Sequence, residues 1–149
     1  PYEMGIRTPF MLRWSGTVQP KMDTVTQVSN IDIVPTILAA AGLTAQKPLP
    51  GVNLLSEEDR EARDIVFAEA YEHDIADIEA PTRSLQYRIA IEYPWKLMVP
   101  DTNNVKEKGS ELFNLQNDPE EIVNQATINL EKREYLLRRL DQWWSPKLN

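Results

Sequence analysis

The chain has 149 residues, of which 42% are hydrophobic and 26% charged, and its net charge is −7. This composition is typical of a globular domain, and its excess of acidic residues argues against a nucleic-acid partner, which needs clustered Lys and Arg. No apolar run reaches the roughly 18 residues of a membrane-spanning helix. The absence of cysteine excludes disulfides, thiolate metal sites and a cysteine nucleophile, but it leaves the compartment open.

The first residues, PYEMGIRTPFMLRW, lack the basic start and the small-residue cleavage site of a secretory signal. They lead directly into sequence that is typical of a folded domain, so we expect the chain to begin inside a larger protein. Thr8 to Trp14 predicts a buried strand, because its apolar residues show little alternation with polar ones.

The stretch SNIDIVPTILAAAGL predicts a short apolar helix over Ile33–Ala41. Ser29, Asn30 and Asp32 are good cap residues, and Pro35 is tolerated in the first helical turn, where its missing N–H has no partner. Gly42 is suited to the left-handed conformation that ends a helix. Because the helix is apolar on nearly every side, we expect it to be buried between other elements.

The remaining sequence predicts four strands and a closing helix. The strands are Ile65–Tyr71, Leu85–Glu92, Trp95–Val99 and Glu111–Leu115, and Ser56–Arg63 reads as a charged turn or short helix. The Tyr93-Pro94 link predicts a hairpin between the second and third strands. This order favours an α+β fold, a small four-stranded antiparallel sheet packed against a C-terminal helix.

Two helix signals follow the last strand. Asp118-Pro119-Glu120-Glu121 has a cap residue, a proline at the first position and acids in the first turn, which is typical of a helix start. The longest predicted helix spans Asn129–Trp144, and its apolar face consists of Leu136, Leu137, Leu140, Trp143 and Trp144.

Motifs for catalysis are missing from the sequence. It contains no G-x-S-x-G, no glycine-rich phosphate loop and no H-E-x-x-H. Asp101 to Lys106 begins like a calcium loop, but it lacks the third oxygen ligand and the glycine. We therefore assign no catalytic or metal-ligating residue within this chain.

Two basic residues are the candidates for substrate contact. His73 is the only histidine and lies among Glu72, Asp74 and Asp77, where it is either a surface residue or a ligand contact with a pKa raised by the acids. Arg83 suits bidentate contact with sulfate or phosphate, although a surface ion pair is the commoner role of a single arginine.

Five stretches, in the same order, resemble the C-terminal part of the type I sulfatases of the alkaline phosphatase superfamily. They are YEMGIRTPFMLRWSG, SNIDIVPTILAAAGL, PGVNLL, YRIAIEYPWKLMV and ELFNLQNDPEEIVNQA. Asn53 in the third stretch stands where the family usually has serine. The resemblance extends from Tyr2 to about Trp144 and covers nearly the whole chain.

The resemblance implies a division of the chain. Residues 1–45 would be the C-terminal edge of the main α/β sulfatase domain, a strand and a buried helix, and residues 46–64 a connection. Residues 65–149 would form the antiparallel-sheet subdomain, which closes one side of the substrate pocket and whose loops help to choose the organic part of the substrate. This position favours His73 and Arg83 as substrate-binding residues.

The resemblance also implies a parent enzyme, by which we mean a longer sulfatase that contains this sequence and hydrolyses sulfate esters. Such enzymes use a formylglycine made in a C/S-x-P-x-R motif, which Ser145-Pro146 does not fit, and a calcium ion held by Asp and Asn residues. We expect the nucleophile and the calcium ligands to lie outside this chain, which alone would be inactive.

The expected partners are a sulfated small molecule or sulfated carbohydrate and the rest of the sulfatase domain, with no nucleic acid or membrane. A periplasmic, secreted or lysosomal location is implied by the same resemblance. One alternative is a phosphonate or phosphodiester hydrolase of the same superfamily. Another is a non-catalytic binding module, against which the predicted strand and buried helix argue, because both require a larger sheet. For the same reason we expect the isolated chain to self-associate.

Overall fold

The computed structural model describes residues 1–74 and 77–146. The chain forms two compact units, and each is described by itself. The N-terminal unit is Thr8–Val66, and the sheet unit combines Pro1–Arg7 with Phe67–Asn149. The helices are α1 (Glu3–Ile6), α2 (Ile33–Ala40), α3 (Glu57–Glu61) and α4 (Leu130–Trp143), and the strands are β1 (Val66–Tyr71), β2 (Leu85–Glu92), β3 (Trp95–Pro100) and β4 (Glu111–Asn114).

The four strands form one antiparallel sheet in the order β1-β2-β3-β4, as the sequence predicts. Across the hairpin, Ile89 lies opposite Met98 and Ala90 opposite Leu97. In the next pair, Leu97 lies opposite Leu112. Consecutive strands are therefore neighbours, which is the arrangement that short links permit.

The two faces of the sheet are covered differently. One carries Ala90, Leu97 and Leu112 and packs against α4, whose Leu136 and Leu140 are fully buried. The opposite face holds a second apolar cluster, made of Tyr87, Ile89, Met98 and Phe113. The predicted helix on one face is confirmed, and the other face is also part of the core.

In the N-terminal unit, α2 begins at the predicted residue and ends at Ala40, one residue before the predicted end. A short 3-10 turn at Asn30–Asp32 precedes it, and Gly42 follows it with a φ of +68°. The apolar side chains of α2 lack cover within this unit: only Thr36 is buried, and Ile37 is 61% exposed. The physical reason is that the described part of the N-terminal unit contains no sheet on which this apolar face could pack.

The predicted strand at Thr8–Trp14 does not form. A strand needs the backbone groups of a neighbouring strand as hydrogen-bond partners, and the described part of the N-terminal unit offers none here. The large side chains of this segment remain partly or largely exposed, among them Phe10, Met11, Leu12 and Trp14.

The predicted helix start at Asp118–Glu121 is also wrong, because this segment is a turn. The Asp118 carboxylate accepts hydrogen bonds from the backbone N–H groups of Ile122 and Val123, at 3.0 and 2.8 Å. Glu121 then adopts a φ of +56°, which a right-handed helix does not allow. The aspartate caps a turn in the way that it would have capped a helix.

Candidate functional site

A loop connects β1 to β2 and carries both predicted substrate-binding residues. Its ends meet where the backbone N–H of Glu72 donates to the carbonyl of Ser84, at 2.8 Å. A 3-10 turn at Pro81–Ser84 leads into β2. We call residues 72–84 the β1–β2 loop, of which Ile75 and Ala76 lie outside the described residues. The closed base fixes the loop to the sheet.

His73 lies at the start of the β1–β2 loop with its side chain fully exposed. Its Nδ1 lies 3.3 Å from Asp74 Oδ1, whose side chain is equally exposed. This position permits contact with a polar ligand by hydrogen bonds through either ring nitrogen.

Arg83 lies at the other end of the loop, in the turn before β2. Its Nη1 donates to Asp77 Oδ2 at 2.8 Å, and its side chain is 71% exposed. Within the described part of the loop, no hydrogen bond or ion pair joins Arg83 to His73. The structure places both residues on one loop, each beside an acidic neighbour, without bringing them into contact.

Tyr71 ends β1 directly before the loop. Its hydroxyl donates to Glu69 Oε2 at 2.9 Å. Burial, followed by the effect of Glu69, raises the pKa of Tyr71 to about 12. The phenol is therefore protonated at neutral pH, so it can donate a hydrogen bond but does not act as a base.

A buried lysine on β3 is a feature that sequence reasoning missed. The Lys96 side chain is 0% exposed and lies on the same face of the sheet as Met98. Its ammonium donates to the carbonyl of Pro1 at 2.9 Å and to Glu3 Oε1 at 3.1 Å. Glu121 Oε1 lies 2.7 Å away, as a close ion pair without hydrogen-bond alignment. The available signals were a lysine inside an otherwise apolar strand and its place in the sulfatase-like stretch YRIAIEYPWKLMV.

The N-terminal unit has its own buried charge, at Asp32. Both Asp32 oxygens accept from Arg63, and they also accept the backbone N–H groups of Ser29 and Val52. Thr36, also buried, accepts the backbone N–H of Leu54 at 2.9 Å. Asp32 therefore joins the start of α2 to the segment that follows it, in addition to its predicted capping role.

A comparison with known protein families shows which family the chain belongs to. The family of the C-terminal region of N-sulphoglucosamine sulphohydrolase matches residues 1–143. The chain belongs to this family. A search of curated proteins finds no match.

Several solved structures have a similar fold. One is a Bacteroides thetaiotaomicron protein from a study of the metabolism of multiple glycosaminoglycans, which is 25% identical with a TM-score of 0.56, over 86% of this chain and 28% of that one. Another is the phosphonate monoester hydrolase of Agrobacterium radiobacter, 23% identical with a TM-score of 0.54, over 74% of this chain and 23% of that one.

A third structure is a protein in complex with its substrate, D-glucosamine-2-N,6-O-disulfate. It is 22% identical with a TM-score of 0.55, and the match covers 75% of this chain and 23% of that one. The last two likenesses, below 25% identity, show the fold alone. This chain spans about a quarter of the length of the three structures.

Most of the buried charged residues lie in the sulfatase-like stretches, and Arg63 is an exception. Glu3, Lys96 and Glu121, which meet at one point, come from three of the five sulfatase-like stretches. Asp32 comes from a fourth, and its partner Val52 from the fifth. In this chain, the sulfatase-like stretches therefore supply most of the residues in the buried polar contacts of each unit, with Arg63 as the partner of Asp32 from outside them.

The described residues do not form the calcium site that the resemblance implies for the parent. Among residues 1–74 and 77–146, no three His, Cys, Asp or Glu side chains are grouped so as to hold a metal ion. The Asp101 carboxylate, at the start of the calcium-like segment, accepts from the backbone N–H groups of Asn103 and Asn104. The location of the nucleophile and the calcium ligands outside this chain stays a prediction.

No helix in the described residues is long and apolar enough to cross a membrane.

Proposed function

We propose that this chain is the C-terminal part of a sulfatase, in which it closes one side of the substrate pocket. The observation that carries this proposal is the family match over residues 1–143. The parent hydrolyses a sulfate ester, with its nucleophile and calcium ligands supplied by sequence outside this chain. The role of the chain is to shape the part of the pocket that receives the organic group.

Within this proposal, the β1–β2 loop contacts the substrate through His73 and Arg83. The loop is held at its base by the sheet, and both side chains are exposed and able to donate hydrogen bonds. Hydroxyl and sulfate groups of a sugar are acceptors for such donors. Contacts of this kind bind the group that leaves and take no part in attack on sulfur.

A sulfated carbohydrate is the substrate class that we propose for the parent. A structural neighbour has been solved with a disulfated glucosamine as its substrate, and another comes from work on glycosaminoglycan metabolism. The acidic character of the described loop does not attract a sulfated ligand by itself, since its four acids, Glu72, Asp74, Asp77 and Glu79, outnumber the basic residues. The arginine and histidine are therefore expected to make the specific contacts.

Phosphonate or phosphodiester hydrolysis is the second candidate, because phosphonate monoester hydrolase is among the structures of similar fold. The test is an assay of the parent enzyme on an aryl sulfate and on an aryl phosphonate monoester of the same leaving group. A higher kcat/KM for the sulfate supports the proposal. A higher value for the phosphonate would favour the second candidate, and no turnover of either would favour a non-catalytic module.

A further inference from the structure

The strongest unexplained feature of the sheet unit is the environment of Lys96. This side chain is completely buried, and a buried ammonium costs several kcal/mol unless partners satisfy it. Its partners come from two places far apart in sequence. The carbonyl of Pro1 and the carboxylate of Glu3 lie at the N-terminal end, and Glu121 lies in the turn after β4.

Other contacts strengthen the same connection. The Glu121 carboxylate also accepts the backbone N–H of Glu3, so it contacts both the lysine and the N-terminal segment. The Tyr2 hydroxyl donates toward both oxygens of Glu111 on β4 at 3.2 Å. The Tyr2 ring also packs edge-on against Phe113, with ring centroids 6.2 Å apart. Residues 1–7 are therefore part of the sheet unit, although residues 8–66 separate them from the rest of it.

The balance of charge at this point depends on Lys96. Lys96 brings a single positive charge to this point, and two carboxylates lie within 3.1 Å of it. Removing the lysine would leave Glu3 and Glu121 close together in a buried site, where like charges repel strongly. Glu3 would move away more easily than Glu121, since its helix α1 is a single short turn. Backbone hydrogen bonds from Gly5, Ile6 and Arg7 close this turn.

We infer that Lys96 is a positioning residue that fixes residues 1–7 on the sheet. This inference rests on the proposed function in one respect. In a parent sulfatase, Lys96 also sets the place from which the chain preceding Pro1 leaves the sheet that carries the β1–β2 loop. Lys96 then holds the chain before Pro1 in a fixed position relative to the β1–β2 loop, and it takes no part in the chemistry.

The test is amide hydrogen exchange on the chain with Lys96→Met, read separately for residues 5–7 and for β2 and β3. We expect exchange at Gly5, Ile6 and Arg7 to rise roughly tenfold or more, while the β2–β3 amides change much less, as in local opening. Lys132→Met is the matched control, because Lys132 pairs with Glu92 through contacts on the α4 side. The control should leave residues 5–7 unchanged.

A milder variant covers the case in which Lys96→Met does not fold. Glu3→Gln keeps the lysine paired with Glu121 and weakens only its connection to α1, so it should raise exchange at residues 5–7 by a smaller factor. Unchanged exchange at residues 5–7 in a folded variant would overturn the inference. So would an equal rise throughout the sheet, which would make Lys96 a general stabiliser.

In the parent enzyme, Lys96→Met should lower kcat by roughly tenfold or more with a smaller change in KM, since misplacement of a reacting group affects the transition state first. An unchanged kcat, together with faster exchange at residues 5–7, would overturn the part of the inference that concerns the pocket. A parent without sulfatase activity would contradict the proposed function, while the exchange result would still decide whether Lys96 positions residues 1–7.

Discussion

Arg63 binds Asp32 with both of its terminal nitrogens, Nη1 to Oδ2 at 2.7 Å and Nη2 to Oδ1 at 2.6 Å. The aspartate is 0% exposed and the arginine 8%, so the pair is shielded from water and salt. The two residues are 31 positions apart. This contact closes the N-terminal unit around the start of α2, and it makes the unit sensitive to loss of either charge.

Replacing Arg63 should destabilise the chain strongly. Arg63→Met leaves the Asp32 carboxylate buried with only backbone donors, and breaking a buried pair in this way costs about 3–5 kcal/mol. The measurement is urea unfolding followed by circular dichroism. Lys21→Met is the control, because Lys21 pairs with Asp23 at the surface, and such pairs contribute about 1 kcal/mol or less. Equal effects of the two variants would show that the Arg63 pair is not stabilising.

Gly51→Ala should be destabilising, although alanine is normally a mild substitution. A Cβ at Gly51 would lie 2.1 Å from the carbonyl oxygen of Ile31, which is backbone that cannot rotate away. Overpacking of this kind costs roughly 1–3 kcal/mol or more.

Gly109→Ala is the matched control for that substitution, since a Cβ at Gly109 would meet nothing within 4 Å among the described residues. Thermal unfolding of both variants measures the difference. A melting temperature for Gly51→Ala equal to that of Gly109→Ala would contradict the close approach of the two backbone segments.

Leu140→Ala should lower the free energy of unfolding by about 2–5 kcal/mol, the usual cost of a large-to-small change in a core. Leu140 is fully buried where α4 packs on the sheet. Ile128→Ala serves as the control, because Ile128 is largely exposed and should change stability by less than about 0.5 kcal/mol. A similarly small effect at Leu140 would mean that α4 is not packed in solution.

His73→Ala in the parent enzyme should reduce turnover of the natural substrate more than turnover of a small aryl sulfate. The reason is that, in the proposed function, a residue of the β1–β2 loop contacts the organic group and not the sulfur. Steady-state kinetics on both substrates measure the ratio, with Lys21→Ala as the surface control. Equal losses on both substrates would place His73 at the chemical centre, and no loss on either would make it a surface residue.

The isolated 149-residue chain should show no hydrolysis of an aryl sulfate, with or without added calcium. The reaction requires a nucleophile, a metal and a general acid, and one histidine does not supply all three. The assay compares product release with the uncatalysed rate. Calcium-dependent turnover that His73→Ala abolishes would contradict this expectation.

Self-association of the chain is expected from its uncovered apolar residues. The predicted residues are Phe10, Leu12, Ile33, Ile37 and Leu38. The first four are exposed by more than a third in the N-terminal unit and Leu38 is half-buried, and exposed apolar surface promotes association. Analytical ultracentrifugation over a range of concentrations measures the mass. A strictly monomeric and cooperatively folding chain would contradict the expectation and favour an independent module.

Local sequence determined the elements whose signals are local. The alternation in Leu85–Glu92 and the Tyr93-Pro94 link predicted β2 and its hairpin, and the apolar face of Asn129–Trp144 predicted α4. The motifs also indicated the family that the match over residues 1–143 shows. These features depend on backbone periodicity and turn chemistry, which are determined by residues close together in the sequence. The roles of His73 and Arg83 stay predictions.

Only the tertiary structure decided where the charges are buried and which segments lack a partner. Lys96 and Glu3 are 93 residues apart, and nothing near either residue indicates that the other will satisfy its charge. The cap signal at Asp118 is satisfied equally by a helix or a turn, and the position of Glu121 beside Lys96 accompanies the turn. A strand at Thr8–Trp14 depends on a neighbouring strand, which the apolar pattern of the segment itself does not supply. Long-range pairing thus selects among conformations that local sequence leaves open.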